Sequence, residues 1–133
     1  MLAQIRKTNL FQSFNRSIAL ALPEFTRKLV ETKLKTYCDG RIPSHLRQEL
    51  RLTWKFRGNA VTLYESRPRF LEPEKWANMP VAQFRFDEQE KTWELFQADR
   101  NGRWHWYLNA APTTDFEALL AELDADPTGI FWG

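Results

Sequence analysis

Two periods alternate along the chain, and the points where one gives way to the other mark out its elements. Phe11, Phe14, Ile18 and Leu22 recur at helical spacing, which predicts an amphipathic amino-terminal arm of about three turns over residues 1–22. Pro23 then suits the opening of a second helix, with Glu24 near its positive end. The stripe Phe25, Leu29, Leu34 and Tyr37 carries that helix to a stop at Gly40. From Glu49 the period drops to two: Leu50, Leu52, Trp54 and Phe56 alternate with Arg51, Thr53, Lys55 and Arg57.

Turn chemistry fixes how the strands pair. Gly58-Asn59 reads as a two-residue hairpin loop, so Arg57 faces Ala60, Phe56 pairs with Val61 and Leu52 with Glu65. One face of this hairpin is apolar; the other gathers Arg51, Thr53, Lys55, Arg57, Thr62 and Tyr64. After a connection over 68–80, Phe84 and Phe86 alternate with Gln83 and Arg85, and Trp93 and Leu95 with Glu94 and Phe96. Pairing Asp87 with Thr92 aligns their apolar faces and sets Arg85 opposite Glu94. Asn101-Gly102 predicts a second two-residue turn, pairing Arg100 with Arg103, Asp99 with Trp104 and Gln97 with Trp106. Phe116, Leu119, Leu120 and Leu123 form the apolar stripe of a last helix, capped by Thr113 or Thr114 and ended by Asp126-Pro127-Thr128-Gly129. The apolar tail Ile130-Phe131-Trp132-Gly133 is expected to tuck into the body.

These elements predict an α+β fold: a five-stranded antiparallel meander sheet packed against amino- and carboxy-terminal helices, with residues 23–133 as one domain behind the arm. The length of 133 residues allows a single core of ordinary size. Disorder is excluded by a chain that is 43% hydrophobic, and no apolar run approaches the about eighteen residues that a membrane span needs. The short apolar run Ile18 to Leu22, followed by Pro23, does not suit a secretory leader. One cysteine, Cys38, cannot make an intrachain disulfide, which points to a reducing cytoplasm.

Charge sharpens the picture. The net charge of +2 conceals a split: residues 1–70 hold fourteen bases against five acids, a balance of +9, and residues 71–133 hold five against twelve, a balance of -7. Such a split suits complementarity within or between chains, or a basic surface that meets an anionic partner.

With the strands placed, a set of strings stands out in order: RIPSHLRQELRL at 41–52, FRGNAVTLYESRPRF at 56–70, MPVAQFRF at 79–86, DRNGRWHWY at 99–107 and DADPTGIFWG at 124–133. They resemble a family of small uncharacterised bacterial proteins, described as a domain of unknown function, with E-x-R-P, W-H-x-Y and terminal aromatic-aromatic-Gly motifs. The resemblance covers residues 25–133 and implies a bacterial, cytoplasmic protein. It carries over no catalytic residue. Many relatives carry Cys where this chain has Ile130, so the resemblance lends that position no metal or redox role.

The sharpest candidate site is the basic sheet face. Arg51, Lys55, Arg57, Tyr64, Arg85, Phe96, Arg103, His105 and Tyr107 are expected to share it, combining phosphate-attracting cations with rings on which bases stack. A second candidate is Glu65, Arg67 and Arg69, as a small-ligand or hydrolytic pocket; an Arg–carboxylate pair is its structural alternative. The expected register sends Asp99 and His105 to opposite faces and argues against a dyad between them. Neither His45 nor His105 stands at a metal-ligand spacing, so no metal or cofactor is expected. Phosphate-cradling, nucleophile-elbow and dinucleotide motifs are lacking. The leading expectation is a non-enzymatic binding or assembly protein, homodimeric through its arm and sheet, with nucleic-acid contact through the basic face. The alternative is an enzyme with a pocket near Glu65 and Arg67.

Overall fold

The computed structural model describes residues 21–133, and the helix expected at Phe11, Phe14 and Ile18 lies outside them. The chain enters at Leu22, which is buried and whose N–H donates to Gly58 O at 3.2 Å. Helix α1 spans Glu24–Arg41 and α2 Phe116–Ala125. Between them run β1 (Arg51–Arg57), β2 (Ala60–Pro68), β3 (Trp76–Asp87), β4 (Thr92–Ala98) and β5 (Trp104–Trp106), paired antiparallel in sequence order. The fold is thus the α+β meander that the periodicity predicts.

The two hairpins β1–β2 and β3–β4 have the expected registers, with Arg57 opposite Ala60 and Arg85 opposite Glu94. Gly58 takes φ 58° at the first loop position, a conformation that a Cβ penalises. Period-two alternation then sends Leu52, Val61, Leu63, Ala82, Phe84, Phe86, Trp93 and Leu95 to one face, where all are buried. Both helices cover that face. The rings of Phe84 and Phe116 lie 4.8 Å apart, and Trp93 meets Phe116 edge-on at 5.0 Å.

Three local expectations need correcting. In α1 the buried stripe is Val30, Leu34 and Cys38, spaced four apart, whereas Phe25 is 79% exposed and Leu29 faces the gap between the helices. The helix also runs through Gly40 to Arg41. At α2 the cap is Asp115, whose side chain accepts from Glu117 N, with Thr113 Oγ1 accepting from Asp115 N.

The third correction is the β4–β5 register, which slips by one residue: Ala98 pairs with Trp104, Gln97 with His105 and Phe96 with Trp106. Asp99 Oδ1 accepts from the N–H groups of Asn101 and Arg103, both at 2.9 Å, and Gly102 takes φ 79°. Asp at the first position and Gly at the fourth favour a type I turn, and the left-handed Gly102 completes a three-residue loop. That arrangement satisfies more backbone groups than the two-residue Asn-Gly turn would.

The carboxy-terminal tail is clamped by Asp126 at φ 42°, whose carboxylate accepts from Phe131 N and Trp132 N. Phe131 is buried against Tyr107, whereas Ile130 stays exposed.

Candidate nucleic-acid interface

The face of the sheet turned away from the helices carries chemistry of another kind. Register places its residues in rows that cross the strands. Arg57, Ala60, Arg85 and Glu94 form one row, beside the Gly58–Asn59 turn; Lys55, Thr62, Gln83, Phe96 and Trp106 form the next. Thr53, Tyr64 and Pro80 follow on β1 to β3, with Ala98 paired to Trp104 across β4 and β5, and Arg51, Ser66 and Asn78 lie beyond. A bulge in β3, where the pairing shifts between Leu63 and Tyr64, keeps Pro80 and Asn78 in these rows.

Three cations of this face lie over rings. The Arg85 guanidinium lies 3.8 Å from the centre of Phe96, that of Arg51 3.9 Å from Trp76, and Lys55 Nζ 5.6 Å from Tyr64. Hydrogen bonds fix the polar groups between them. Arg85 Nε donates to Gln83 Oε1 at 2.7 Å, and Gln83 Nε2 donates to Thr62 Oγ1 at 2.9 Å. The buried Ser66 hydroxyl donates to Asn78 Oδ1 at 2.6 Å and sits 3.2 Å from Thr53 Oγ1. Burial lowers the Arg85 pKa, and the facing Glu94 opposes that shift.

A cleft of about 780 Å³ opens in this face, lined by Lys55, Arg57, Tyr64, Gln83, Arg85 and Trp104 among others. Three cations therefore share one concavity with Tyr64 and Trp104. The arrangement offers fixed positive charge for phosphates beside aromatic surface for bases.

The remaining candidates fall elsewhere. The slipped register gives His105 the side of the sheet opposite Trp104 and Trp106, and Tyr107 is buried against Phe131 with its hydroxyl donating to Glu122 Oε1. Arg103 stays exposed at the end of the β4–β5 turn. Two residues not foreseen for the outer face, Trp104 and Trp106, take the place of His105 and Tyr107. The same slip makes the dyad that the expected register argued against: His105 Nε2 lies 2.8 Å from Asp99 Oδ2. The imidazole hydrogen bond, then those from the backbone of Arg103 and Asn101, hold the Asp99 carboxyl below its ordinary pKa.

At the second candidate, Arg67 Nε donates to Glu65 Oε1 at 2.8 Å, and Arg67 is 62% exposed. The pair lines neither the outer-face cleft nor a second depression of about 680 Å³ between α1 and α2. Arg69 continues the hairpin through its backbone, donating to Lys75 O at 2.8 Å. The α1–α2 depression is bridged by its own ion pairs, Lys33–Glu117 at 3.3 Å and Arg41–Asp124.

Residues 22–133 match the family described as a domain of unknown function (DUF3024). The chain belongs to the DUF3024 family. No curated protein and no solved structure matches it. The match begins at Leu22, whose N–H donates to Gly58 O in the β1–β2 turn, and takes in every strand and both helices of the DUF3024 domain. Among the described residues no helix is long and apolar enough to cross a membrane.

Proposed function

We propose that this protein binds single-stranded nucleic acid on the outer face of its sheet, without catalysis. The observation that carries the reading is the shared cleft: Lys55, Arg57 and Arg85 beside the rings of Tyr64 and Trp104. Arg57 and Arg85 in the row beside the β1–β2 turn, Lys55 in the next, and Tyr64 and Trp104 beyond it match a strand whose phosphates follow that turn and whose bases lie inward, toward Trp104 and Trp106. Single-strand binding suits this face better than duplex binding, since stacking needs bases that are not already paired. The Gln83 amide is engaged on both sides, by Arg85 and Thr62. Stacking on the rings, which every base can make, favours sequence-tolerant binding.

The test is the affinity of labelled single-stranded DNA and RNA for the wild type and for a Lys55→Glu, Arg57→Glu double variant. Both positions are exposed, so the variant is expected to keep its circular dichroism and melting temperature. Binding that weakens steeply with salt and is lost in the variant supports the reading; wild-type affinity in a folded variant overturns it.

A second reading, assembly with another copy of the chain, is favoured by Phe70 and Leu71, which are 96% and 85% exposed at the β2–β3 tip. A mass measurement at rising concentration tests it, and a monomer throughout would end it. The cytoplasmic setting rests on the lone Cys38.

A further inference from the structure

The outer-face cleft holds more positive charge than one internal phosphodiester requires, and the Gly58–Asn59 turn walls it at the edge of the sheet. Building on the single-strand reading, we propose that this cleft seats a nucleotide bearing a phosphomonoester. The phosphate lies among Lys55, Arg57 and Arg85, and the base rests on Tyr64 and Trp104.

Charge carries the first step. Glu94, opposite Arg85 in the register, offsets one of the three cations and leaves a surplus of two. An internal phosphodiester brings one negative charge, whereas a phosphomonoester brings about 1.5 to 2 near neutral pH. The monoester is the closer match, and it adds oxygens that accept charge-assisted hydrogen bonds.

Position carries the second. The Gly58–Asn59 turn lines the cleft beside Arg57 and bounds it at that edge of the sheet. A walled cleft suits a chain end or a free nucleotide. Its volume of about 780 Å³ lies within the range of small-molecule sites, about 300 to 1,000 Å³.

Preorganisation carries the third. Gln83 holds Arg85 through Nε, and Phe96 lies under the guanidinium, so the remaining N–H donors of the fork are fixed before any ligand arrives.

A nucleoside monophosphate and the phosphorylated end of a single strand offer this same chemistry, and the experiment separates them. Anisotropy would compare matched oligothymidylates ending in 5′-phosphate, 3′-phosphate or hydroxyl groups, on wild type and Arg57→Gln, with thymidine monophosphate titrated separately by calorimetry. We expect one phosphorylated end to bind about tenfold tighter than hydroxyl ends, as a charge-assisted pair supplies. That preference should vanish in Arg57→Gln, whose exposed site leaves the fold intact. Equal wild-type affinity for all ends overturns the inference and leaves single-strand binding standing. An Arg57→Gln loss that is the same for every end also overturns it. Binding of the monophosphate without any oligonucleotide upholds the cleft and overturns the strand reading. Binding of none overturns both.

Discussion

The two faces of one sheet use aromatic side chains differently, although Phe56 on the covered side also lies under a cation, Arg27 at 4.6 Å. On the helix-covered side Phe84, Phe116 of α2, Trp93 and Phe86 form a chain of ring contacts at 4.8, 5.0 and 4.9 Å and are buried. On the outer face Trp76, Tyr64 and Phe96 stand apart, each with a cation over it. Rings that pack on rings stabilise the fold, and rings that carry cations hold charge at fixed positions on a surface. The alternation of β1 and β2 is enough to separate the two uses, because one residue's step along a strand changes its face.

The largest effect that could break this contrast is on folding. Phe84→Ala should cost about 3 to 5 kcal/mol in denaturant unfolding, since it leaves a void against Phe116. Trp104→Ala, on the outer face, should cost less than about 1 kcal/mol and instead weaken oligonucleotide binding. Equal destabilisation by the two would make the outer rings structural and remove the contrast.

The next effect is smaller and concerns the tail that closes the inner side. Asp126→Ala removes the acceptor for Phe131 N and Trp132 N and puts alanine at φ 42°, so about 1 to 3 kcal/mol of stability should be lost. Asp126→Gly relieves the backbone strain and should recover part of that loss, by the same unfolding assay.

Reactivity sharpens the comparison without a large change in stability. Burial pushes the Cys38 thiol up to about 12, with Asp39 adding to the shift. Native protein should therefore resist alkylation near neutral pH and react only on unfolding, as followed by mass spectrometry. Rapid native modification would mean that α1 does not cover the inner face as described.

The smallest effect lies at the β4–β5 turn. The folded Asp99 carboxyl titrates below its ordinary value, so the turn's contribution is complete above about pH 4 and is lost as pH falls through the depressed pKa. Carboxyl NMR should find Asp99 lower than ordinary, and His105→Ala should raise it by removing the largest cause. A titration at the ordinary value in the wild type would remove the turn's hydrogen bonds from the account.

Most of the fold was legible because period-two alternation and the Gly58-Asn59 turn specify both faces of β1 and β2. The cations Arg51, Lys55, Arg57 and Arg85 were legible with them. The far end of the outer face was not, because Asn101-Gly102 favours a two-residue turn while Asp99 and Gly102 also fit a type I turn one residue longer. That single step exchanged His105 and Tyr107 for Trp104 and Trp106. The cue was present as Asp and Gly three apart, but nothing local weighs one turn against the other. In α1, Phe25 and Leu29 were the larger apolar groups, yet the smaller Val30 and Cys38 meet the core because they share a face with Leu34.

The central claim is that the outer face is the working face, and the protein's six tryptophans report on it directly. Indole N–H resonances followed by NMR during titration with a short single-stranded oligonucleotide would separate Trp104 and Trp106 from the buried Trp93 and from Trp132. The account predicts shifts at Trp104 and Trp106 with Trp93 and Trp132 unmoved. Shifts at Trp132, beside α2, with Trp104 and Trp106 unmoved would contradict it.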